Sequence, residues 1–420
     1  MVSVNLSYIN TISYANRGAT SHPSLLRAKV NSHMAARIQC GHLSPVRALE
    51  GDGRKTVSRP PQRNSGTVKF IPPNPPSWCN LVHATVEKAA ATNFVIDARE
   101  LAVLTRARGV DVQALLPEFV AEAQKFARSP TSQFRVGAAA LGASGAVYLG
   151  VNIELPGLPL NASIHAEQFA VVTALHAGET SLSAIATTAA PCGHCRQFLN
   201  ELRDAASIGV IIPDAKASTC GTNINSIRLN LSDLLPHSFG PLDLICDVAA
   251  PLMLEPRDNS IVLISDDLTS SEEDVSTSPQ LWNELSTAAL RETNLAYAPY
   301  SGSPAGIAIA TASGNIFSGR SLECAAYNPT LSPLHTALVV AVGSDGLARS
   351  DTNGSGGWEE ITRAVLVEMP GGAVQYAGTV ELILGVIAPE AQLRVVHASD
   401  KAERREQSEQ TAHHHDTNTD

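Results

Sequence analysis

The sequence lacks several features that would assign it to large classes of protein. No run of 18 apolar residues occurs among its 420 residues, although 44% are hydrophobic, so we expect no transmembrane helix and no membrane partner. Its seven cysteines are odd in number and irregularly spaced, which does not suit a disulfide framework and favours a reducing compartment. The net charge of −10 argues against general affinity for nucleic acids. The length suffices for two or three domains.

Acidic residues are almost absent from the N-terminal part of the chain. The first 49 residues contain none, and residues 1–69 hold ten Lys and Arg against two acids, which leaves a net charge of −18 on the remainder. Such a composition is typical of an organelle transit peptide, and equally of an unstructured extension without an address. A proline-rich stretch follows at 60–77. We predict that 1–92 are disordered. The chain is expected in the cytosol, or in a plastid or mitochondrion if the extension directs it there.

From Phe94 onwards the pattern indicates alternating strands and helices. Apolar spacing predicts helices over 99–108, 113–128, 163–177 and 192–203, and strands over 134–141, 146–153, 182–189 and 208–212. This alternation indicates an α/β fold in which helices pack on a sheet. The first folded domain is expected to cover 93–231.

A second folded segment resembles a copy of the first. A connector is predicted over 232–279, with a Pro- and Gly-rich part and an acidic, solvated loop from 265. The second domain is expected over 280–398, and a disordered tail over 399–420. Residues 296–342 repeat the order of 126–174, and with a two-residue gap Ser332 and Leu334 fall where the first segment has His165 and Glu167. The sequence therefore predicts a duplicated fold in which only the first copy keeps its chemistry.

Two short motifs in the first domain carry that chemistry. His165-Ala166-Glu167 opens one predicted helix, and Pro191-Cys192-Gly193-His194-Cys195 precedes the next. Two cysteines separated by two residues can ligate one tetrahedral zinc ion from a helix N-terminus, where the helix dipole favours thiolate. His165 can supply a third ligand, and three protein ligands leave the fourth position open for water, as in catalytic zinc sites. Glu167 can then reach that water without ligating the metal.

Each motif alone has a more common interpretation. A lone Cys-x-x-Cys is often a redox pair or half of a zinc knuckle. Against the redox pair, the His–Glu motif lies 27 residues upstream and both motifs open helices; against the knuckle, no second Cys-x-x-Cys occurs in the chain. His194 is expected to point away from the metal, because Cys192 and Cys195 flank it and occupy the ligand geometry.

Together the motifs match His-x-Glu followed by Pro-Cys-x-x-Cys, the known signature of zinc-dependent base deaminases. The sequence resembles the cytidine deaminase family, and specifically its two-domain homodimeric branch of plants and enteric bacteria. The resemblance runs from about Phe94 to His397. Its matching segments are 134–138, 150–160, 163–169, 189–199, 235–241 and 297–301.

The resemblance implies a fold, an activity and a set of residue roles. The fold would be a duplicated three-layer α/β/α sandwich whose second copy lacks metal ligands. His165, Cys192 and Cys195 would bind one Zn²⁺ per catalytic domain, and a zinc-bound hydroxide would attack C4 of cytidine or deoxycytidine. Glu167 would shuttle protons, so that uridine or deoxyuridine and ammonia form.

The resemblance also implies a substrate pocket and a homodimer. Asn152 and Glu154 would bind the ribose, Phe134 would pack on the pyrimidine, and Ala166 would line the pocket. Phe239 would contact the substrate bound by the partner subunit. From the residues alone, Asn152 and Glu154 could equally lie on an exposed strand face, and Phe134 could be a core aromatic.

Two other functions remain open on the sequence. A nucleic-acid deaminase of the same superfamily would need a basic groove, which the acidic folded part does not favour. A catalytically inactive, zinc-stabilised scaffold or regulatory partner is disfavoured by Glu167, since a structural zinc ion has no use for that carboxylate.

Overall fold

A computed structural model of the chain describes residues 77–214, 225–264, 279–344, 347 and 356–401. Most of the predicted extension, the acidic loop up to 278 and the tail beyond 401 lie outside the described residues. No described helix is both long enough and apolar enough to cross a membrane.

The first sheet is mixed and lies in the N-terminal half. Its strands are β1 (Val95–Ile96), β2 (Gly137–Gly142), β3 (Val147–Val151), β4 (Leu182–Thr187), β5 (Gly209–Pro213) and β6 (Ser226–Asn230). Their spatial order is β1-β3-β2-β4-β5-β6. The β2–β3 hairpin predicted from the sequence is present and antiparallel, β4 pairs antiparallel with β2, and β5 pairs parallel with β4. A parallel pair needs a crossover connection, and the helix Gly193–Leu199 lies in it.

The second sheet repeats this arrangement. Its strands are β7 (Ile261–Leu263), β8 (Gly306–Thr311), β9 (Ile316–Arg320), β10 (Ile361–Glu368) and β11 (Gln392–Asp400), in the order β7-β11-β10-β8-β9. Again a hairpin, β8–β9, is followed by an antiparallel neighbour, β10, and a parallel one, β11. The edge strand next to β11 is β7, which precedes the hairpin in the chain, whereas the first sheet takes β6 from the residues after β5.

Ten α-helices flank these sheets in the described residues. They are α1 (Ser77–Ala90), α2 (Ala98–Arg108), α3 (Val112–Ala123), α4 (Ala166–His176), α5 (Gly193–Leu199), α6 (Leu231–Leu234), α7 (Pro241–Leu244), α8 (Pro279–Asn294), α9 (Pro333–Gly343) and α10 (Ala377–Ile387). Helices α4 and α9 pack against each other, which joins the two domains.

Glycines in the hairpins show that helices cover both faces of each sheet. A Cβ atom on Gly137 would lie 2.6 Å from Val120 O of α3, and one on Gly150 would lie 2.1 Å from Ala166 O of α4. Gly150 pairs with Ala138, so Gly137 and Gly150 face opposite sides of the sheet. Helices α3 and α4 therefore form the two outer layers of an α/β/α sandwich.

The second domain reproduces this close packing. A Cβ atom on Gly306 would lie 2.3 Å from Ala289 O of α8, and one on Gly319 would lie 2.2 Å from Ala337 N of α9. The three-layer arrangement predicted from the resemblance is thus confirmed in both halves.

Isolated bridges confirm the duplication residue by residue. In the first domain Ile153 pairs in parallel with Arg128 and antiparallel with Ile164; in the second, Leu322 pairs in the same two ways with Tyr297 and Leu331. These pairs imply the two-residue gap that the sequence alignment needed. Ser332 is accordingly the N-cap of α9, as His165 is of α4.

The prediction that disorder extends to residue 92 was wrong at its end. Helix α1 covers Ser77–Ala90, with Val82, Val86 and Ala89 buried in the core. Its spacing of three and four residues forms one apolar stripe, which the preceding prolines obscured. The His83 ring also contacts Glu122 at 2.6 Å, and the Arg108 guanidinium lies 3.6 Å from the Trp78 ring centroid.

Several other boundaries differ from the sequence prediction. Helix α3 ends at Ala123 and passes into a short 3₁₀ turn, because Gln124 to Phe126 tighten before β2. Helix α5 stops at Leu199 rather than at residue 203. The connector predicted over 232–279 is not uniformly irregular, because the single-turn helix α6 overlaps its start and α7 lies within it. It also contains β7, which pairs with β11, so the second domain begins before the predicted residue 280. The final strand runs to Asp400, two residues past the predicted end of the second domain.

Candidate metal centre

The N-termini of α4 and α5 bring the two motifs together. His165 is the N-cap residue of α4, and Glu167 lies in its first turn, where it is buried. Cys192 is the N-cap residue of α5, which follows strand β4, and Cys195 is buried one turn further on. The free N–H groups at both helix starts favour negative charge, and therefore thiolate.

His165, Cys192 and Cys195 form a group that could hold a metal ion. The Nδ1 atom of His165 lies 3.5 Å from Cys192 Sγ and 3.2 Å from Cys195 Sγ, and the two sulfurs are 3.7 Å apart. Tetrahedral zinc, with Zn–S near 2.3 Å and Zn–N near 2.0–2.1 Å, requires separations of about 3.6 Å for S···N and about 3.8 Å for S···S. The donors fit zinc to within a few tenths of an ångström.

The electrostatics of this group favour a thiolate at Cys192, whereas the hydrogen bond with Cys192 and burial raise the pKa of the Cys195 thiol. Hydrogen bonds from Cys195 and His165 lower the pKa of the Cys192 thiol to about 3. The hydrogen bond with Cys192 raises the pKa of His165 against the effect of burial. Burial raises the pKa of the Glu167 carboxyl, which is also hydrogen-bonded with Cys195. The three donors and one carboxyl therefore share a single partly enclosed space.

Gln168 supports the position of His165 through hydrogen bonds of its side chain. Its Oε1 accepts from the backbone N–H of His165 at 3.2 Å, as in a capping box, and its Nε2 donates to Pro329 O of the second domain at 2.9 Å. Its Nε2 also lies 3.2 Å from His194 Nε2. The His194 ring stacks on that of His165 with centroids 5.2 Å apart, and His194 is not part of the metal-ligand group.

Asn152 and Glu154 both have partners within the protein. Asn152 accepts from Val136 N at 2.8 Å and donates to Phe134 O at 3.0 Å. Glu154 accepts from the backbone N–H groups of Thr131 and Ser132 at 2.8 and 3.0 Å, and from the Ser132 hydroxyl. They hold the segment from 131 to 136, at whose centre the Phe134 side chain is 58% exposed. Phe134 is therefore not the core aromatic that composition allowed.

Ala166 lies in the first turn of α4, and Phe239 lies in the connector beside α5. Ala166 is fully buried between His165 and Glu167 in the chain. Phe239 is 43% exposed, and its carbonyl accepts from the side chains of Gln197 and Asn200 at the C-terminal part of α5. The connector is thus attached to the helix that carries both cysteines.

Sequence reasoning did not find Gln168 or Glu201. Gln168 had a signal, because it stands three residues after an N-cap, at the capping-box position. Glu201 had none, since the groups that contact it, which include the Tyr297 hydroxyl and Ala325 N, lie in the other domain.

Comparisons with known proteins agree with this geometry. Two family models, both described as the cytidine and deoxycytidylate deaminase zinc-binding region, match residues 111–210 and 231–381. Cytidine deaminase 1 of Arabidopsis thaliana is 40% identical over 308 residues, which are 73% of this chain and 97% of that protein. The cytidine deaminase of Shewanella pealeana is 38% identical over 67% of this chain and 82% of its own length.

A solved cytidine deaminase from Burkholderia pseudomallei aligns at 30% identity with 31% of this chain and 100% of its own, with a TM-score of 0.26. That score adds nothing to the assignment, which rests on the family models and the full-length relatives. The chain is a zinc-binding enzyme, and it belongs to the cytidine deaminase family.

Proposed function

We propose that the chain deaminates cytidine and deoxycytidine hydrolytically, giving uridine and deoxyuridine with release of ammonia, as a step of pyrimidine salvage. The observation that carries this proposal is the group of His165, Cys192 and Cys195 with the buried carboxyl of Glu167 beside it. A purely structural zinc site is closed by four protein ligands, whereas this group offers three.

His165, Cys192 and Cys195 would hold the zinc ion through one nitrogen and two sulfurs. When bound, zinc supplies Lewis acidity that makes water a nucleophile near neutral pH. The hydrogen bonds of Gln168 to the His165 backbone and to Pro329 keep the histidine in place. His165 and the cysteines thus position the reaction rather than move protons.

Glu167 would move the protons. Burial raises the pKa of its carboxyl above the usual range, a direction that suits general acid–base catalysis. It takes a proton from the attacking water and delivers it to the ring nitrogen of the base. It then takes the remaining proton of the new C4 hydroxyl and passes it to the departing amino group, as the C4 carbonyl forms. Water and cytidine then balance with uridine and ammonia.

The walls of the pocket would select a nucleoside. Phe134, exposed at the centre of the segment that Asn152 and Glu154 hold, would pack on the pyrimidine ring, and Ala166 would limit the space near the base. Carboxylate and amide oxygens have more than one acceptor position, so Asn152 and Glu154 can still bind ribose hydroxyls while they hold the backbone.

The assembly and the location remain part of the proposal. We expect a homodimer in which Phe239 of one subunit helps to close the site of the other; its exposed ring and its attachment to α5 are compatible with that role. We expect the cytosol, with a plastid or mitochondrion as the alternative if the N-terminal residues direct import.

The Glu167→Gln variant tests the mechanism. It keeps the size of the side chain and removes its proton transfer, so zinc content should stay near wild type while deamination falls at least about 10²–10⁴-fold. The matched control is Glu87→Gln on the exposed face of α1, which should change neither property. Full activity in Glu167→Gln would assign the proton transfer to another group.

A further inference from the structure

The second domain contains a cavity of about 400 Å³. Its walls include Tyr300, Ser301, Glu323, Tyr327, Val374 and Tyr376. This volume lies within the range of about 300–1,000 Å³ that small-molecule sites occupy. Aromatic rings, an aliphatic side chain, a hydroxyl and a carboxylate together suit a planar ligand that also carries hydroxyl groups.

The cavity lies where the first domain has its proposed substrate site. Glu323 accepts from the backbone N–H groups of Tyr300 and Ser301 at 2.9 and 3.1 Å, and from the Ser301 hydroxyl. Glu154 makes the same three contacts with Thr131 and Ser132. The carboxylate proposed to bind ribose therefore has a counterpart in the second domain, whereas Ser321 stands where the first domain has Asn152.

The metal ligands, in contrast, are replaced. Ser332 caps α9 where His165 caps α4, and Leu334 takes the place of Glu167. Tyr376 caps α10 after strand β10, as Cys192 caps α5 after β4. The second domain thus lacks the His, Cys and Glu side chains of the first at these positions, and Tyr376 offers an aromatic ring.

The walls of the cavity are held in fixed positions. The Tyr300 hydroxyl donates to Glu201 at 2.5 Å, and Tyr376 N donates to Glu368 at 2.6 Å. Tyr327 is exposed and has a φ of 61°, a left-handed conformation that is strained for a bulky residue. A pocket that is held in this way needs little ordering to bind a ligand.

We propose that this cavity is a second, non-catalytic site for a pyrimidine nucleoside. The inference rests on the proposed function, because it transfers the nucleoside from the first domain to its duplicate. The base stacks on the tyrosine rings and the sugar hydroxyls bind Glu323 and Ser301. Without metal ligands or a counterpart of Glu167, the bound nucleoside is not deaminated.

Counting binding sites tests the proposal. Uridine, the expected product, is titrated into the zinc-loaded full chain by calorimetry. Val374→Trp and Ala373→Trp each place an indole in the cavity from an exposed position, so folding is not at risk. Leu382→Trp, exposed on α10 away from the cavity, is the matched control. Cytidine deamination is measured on the same samples.

The proposal expects two uridine molecules per wild-type or Leu382→Trp chain and one per Val374→Trp or Ala373→Trp chain, with deamination unchanged in all four. One uridine per wild-type chain, or two that persist in both cavity variants, would overturn it. If no protein deaminated cytidine but the cavity variants still bound one uridine fewer than the wild type, the proposed function would be contradicted. The second binding site would then still be supported.

Discussion

Tyr300 and Glu201 join the two domains through a hydrogen bond of 2.5 Å from the tyrosine hydroxyl to the carboxylate. Glu201 is fully buried two residues beyond the end of α5. It also accepts from the Tyr297 hydroxyl at 3.0 Å and from Ala325 N at 2.7 Å. One carboxylate of the metal-binding domain thus receives three donors from the other domain, immediately after the helix that carries both cysteines.

Replacing Glu201 with Leu should destabilise the protein strongly. The Tyr297 and Tyr300 hydroxyls and Ala325 N would lose a shared acceptor, and a buried donor without a partner costs about 1–3 kcal/mol. The free energy of unfolding in urea should therefore fall by several kcal/mol. Glu87→Leu, on an exposed face of α1, is the control and should have little effect. Equal losses in both variants would show that the Glu201 contacts contribute nothing specific.

Metal binding should depend on Cys195 and not on Cys246. Cys195→Ala removes a proposed ligand, so the zinc content after purification should fall well below one ion per chain. Cys246→Ala changes a free cysteine in the connector and should leave the zinc content unchanged. Elemental analysis of both proteins gives the answer. Wild-type zinc content in Cys195→Ala would remove that residue from the ligand set.

Gly150 should be needed because α4 approaches the sheet at that point. A Cβ atom there would lie 2.1 Å from Ala166 O and 2.6 Å from Ala170 N. Gly150→Ala would push away the helix whose first residues flank the metal group, so both thermal stability and deamination should fall. Gly385→Ala in α10 meets nothing within 4 Å and should stabilise slightly, since alanine favours helices by about 1 kcal/mol over glycine. Undiminished activity in Gly150→Ala would contradict the close packing.

Stability should fall as the pH drops from about 6.5 towards 4. Burial lowers the pKa of both His176 and His335 to about 4, while an unfolded histidine titrates near 6.5. The unfolded chain therefore binds more protons in this window, and the stabilisation present above it is lost as pH falls, by up to about 1.4 kcal/mol per pH unit for each histidine.

The His176→Asn variant isolates one of these two groups. Its unfolding free energy should depend less steeply on pH between 6.5 and 4 than that of the wild type. His237→Asn, in the exposed connector, should keep the wild-type slope. An unchanged slope in His176→Asn would mean that this histidine is not buried in its neutral form.

The sequence predicted the metal group because its residues carry a local signature. The spacing of His165, Cys192 and Cys195 identifies them as possible metal ligands. They lie at the starts of two helices that the apolar periodicity also predicted. The duplication was predictable for a similar reason, since Ser332 and His165 occupy equivalent positions in matching strings of elements.

Other features depend on contacts between distant parts of the chain and were not predictable. Glu201 meets residues 96 to 124 positions further along the chain, so no local pattern marks it as a buried link between domains. Helix α1 was missed because its stripe of Val82, Val86 and Ala89 gains meaning only from the core that it covers. The sequence resemblance gave Glu154 a proposed role in sugar binding. Its second role, holding the turn at 131–132 through backbone hydrogen bonds, could be seen only in the structure.

The most direct test of the central claim is the ultraviolet absorbance of cytidine incubated with the purified protein, with and without a strong zinc chelator. We expect conversion to uridine, which the chelator should abolish and added zinc should restore. No conversion by protein that holds one zinc ion per chain would contradict it.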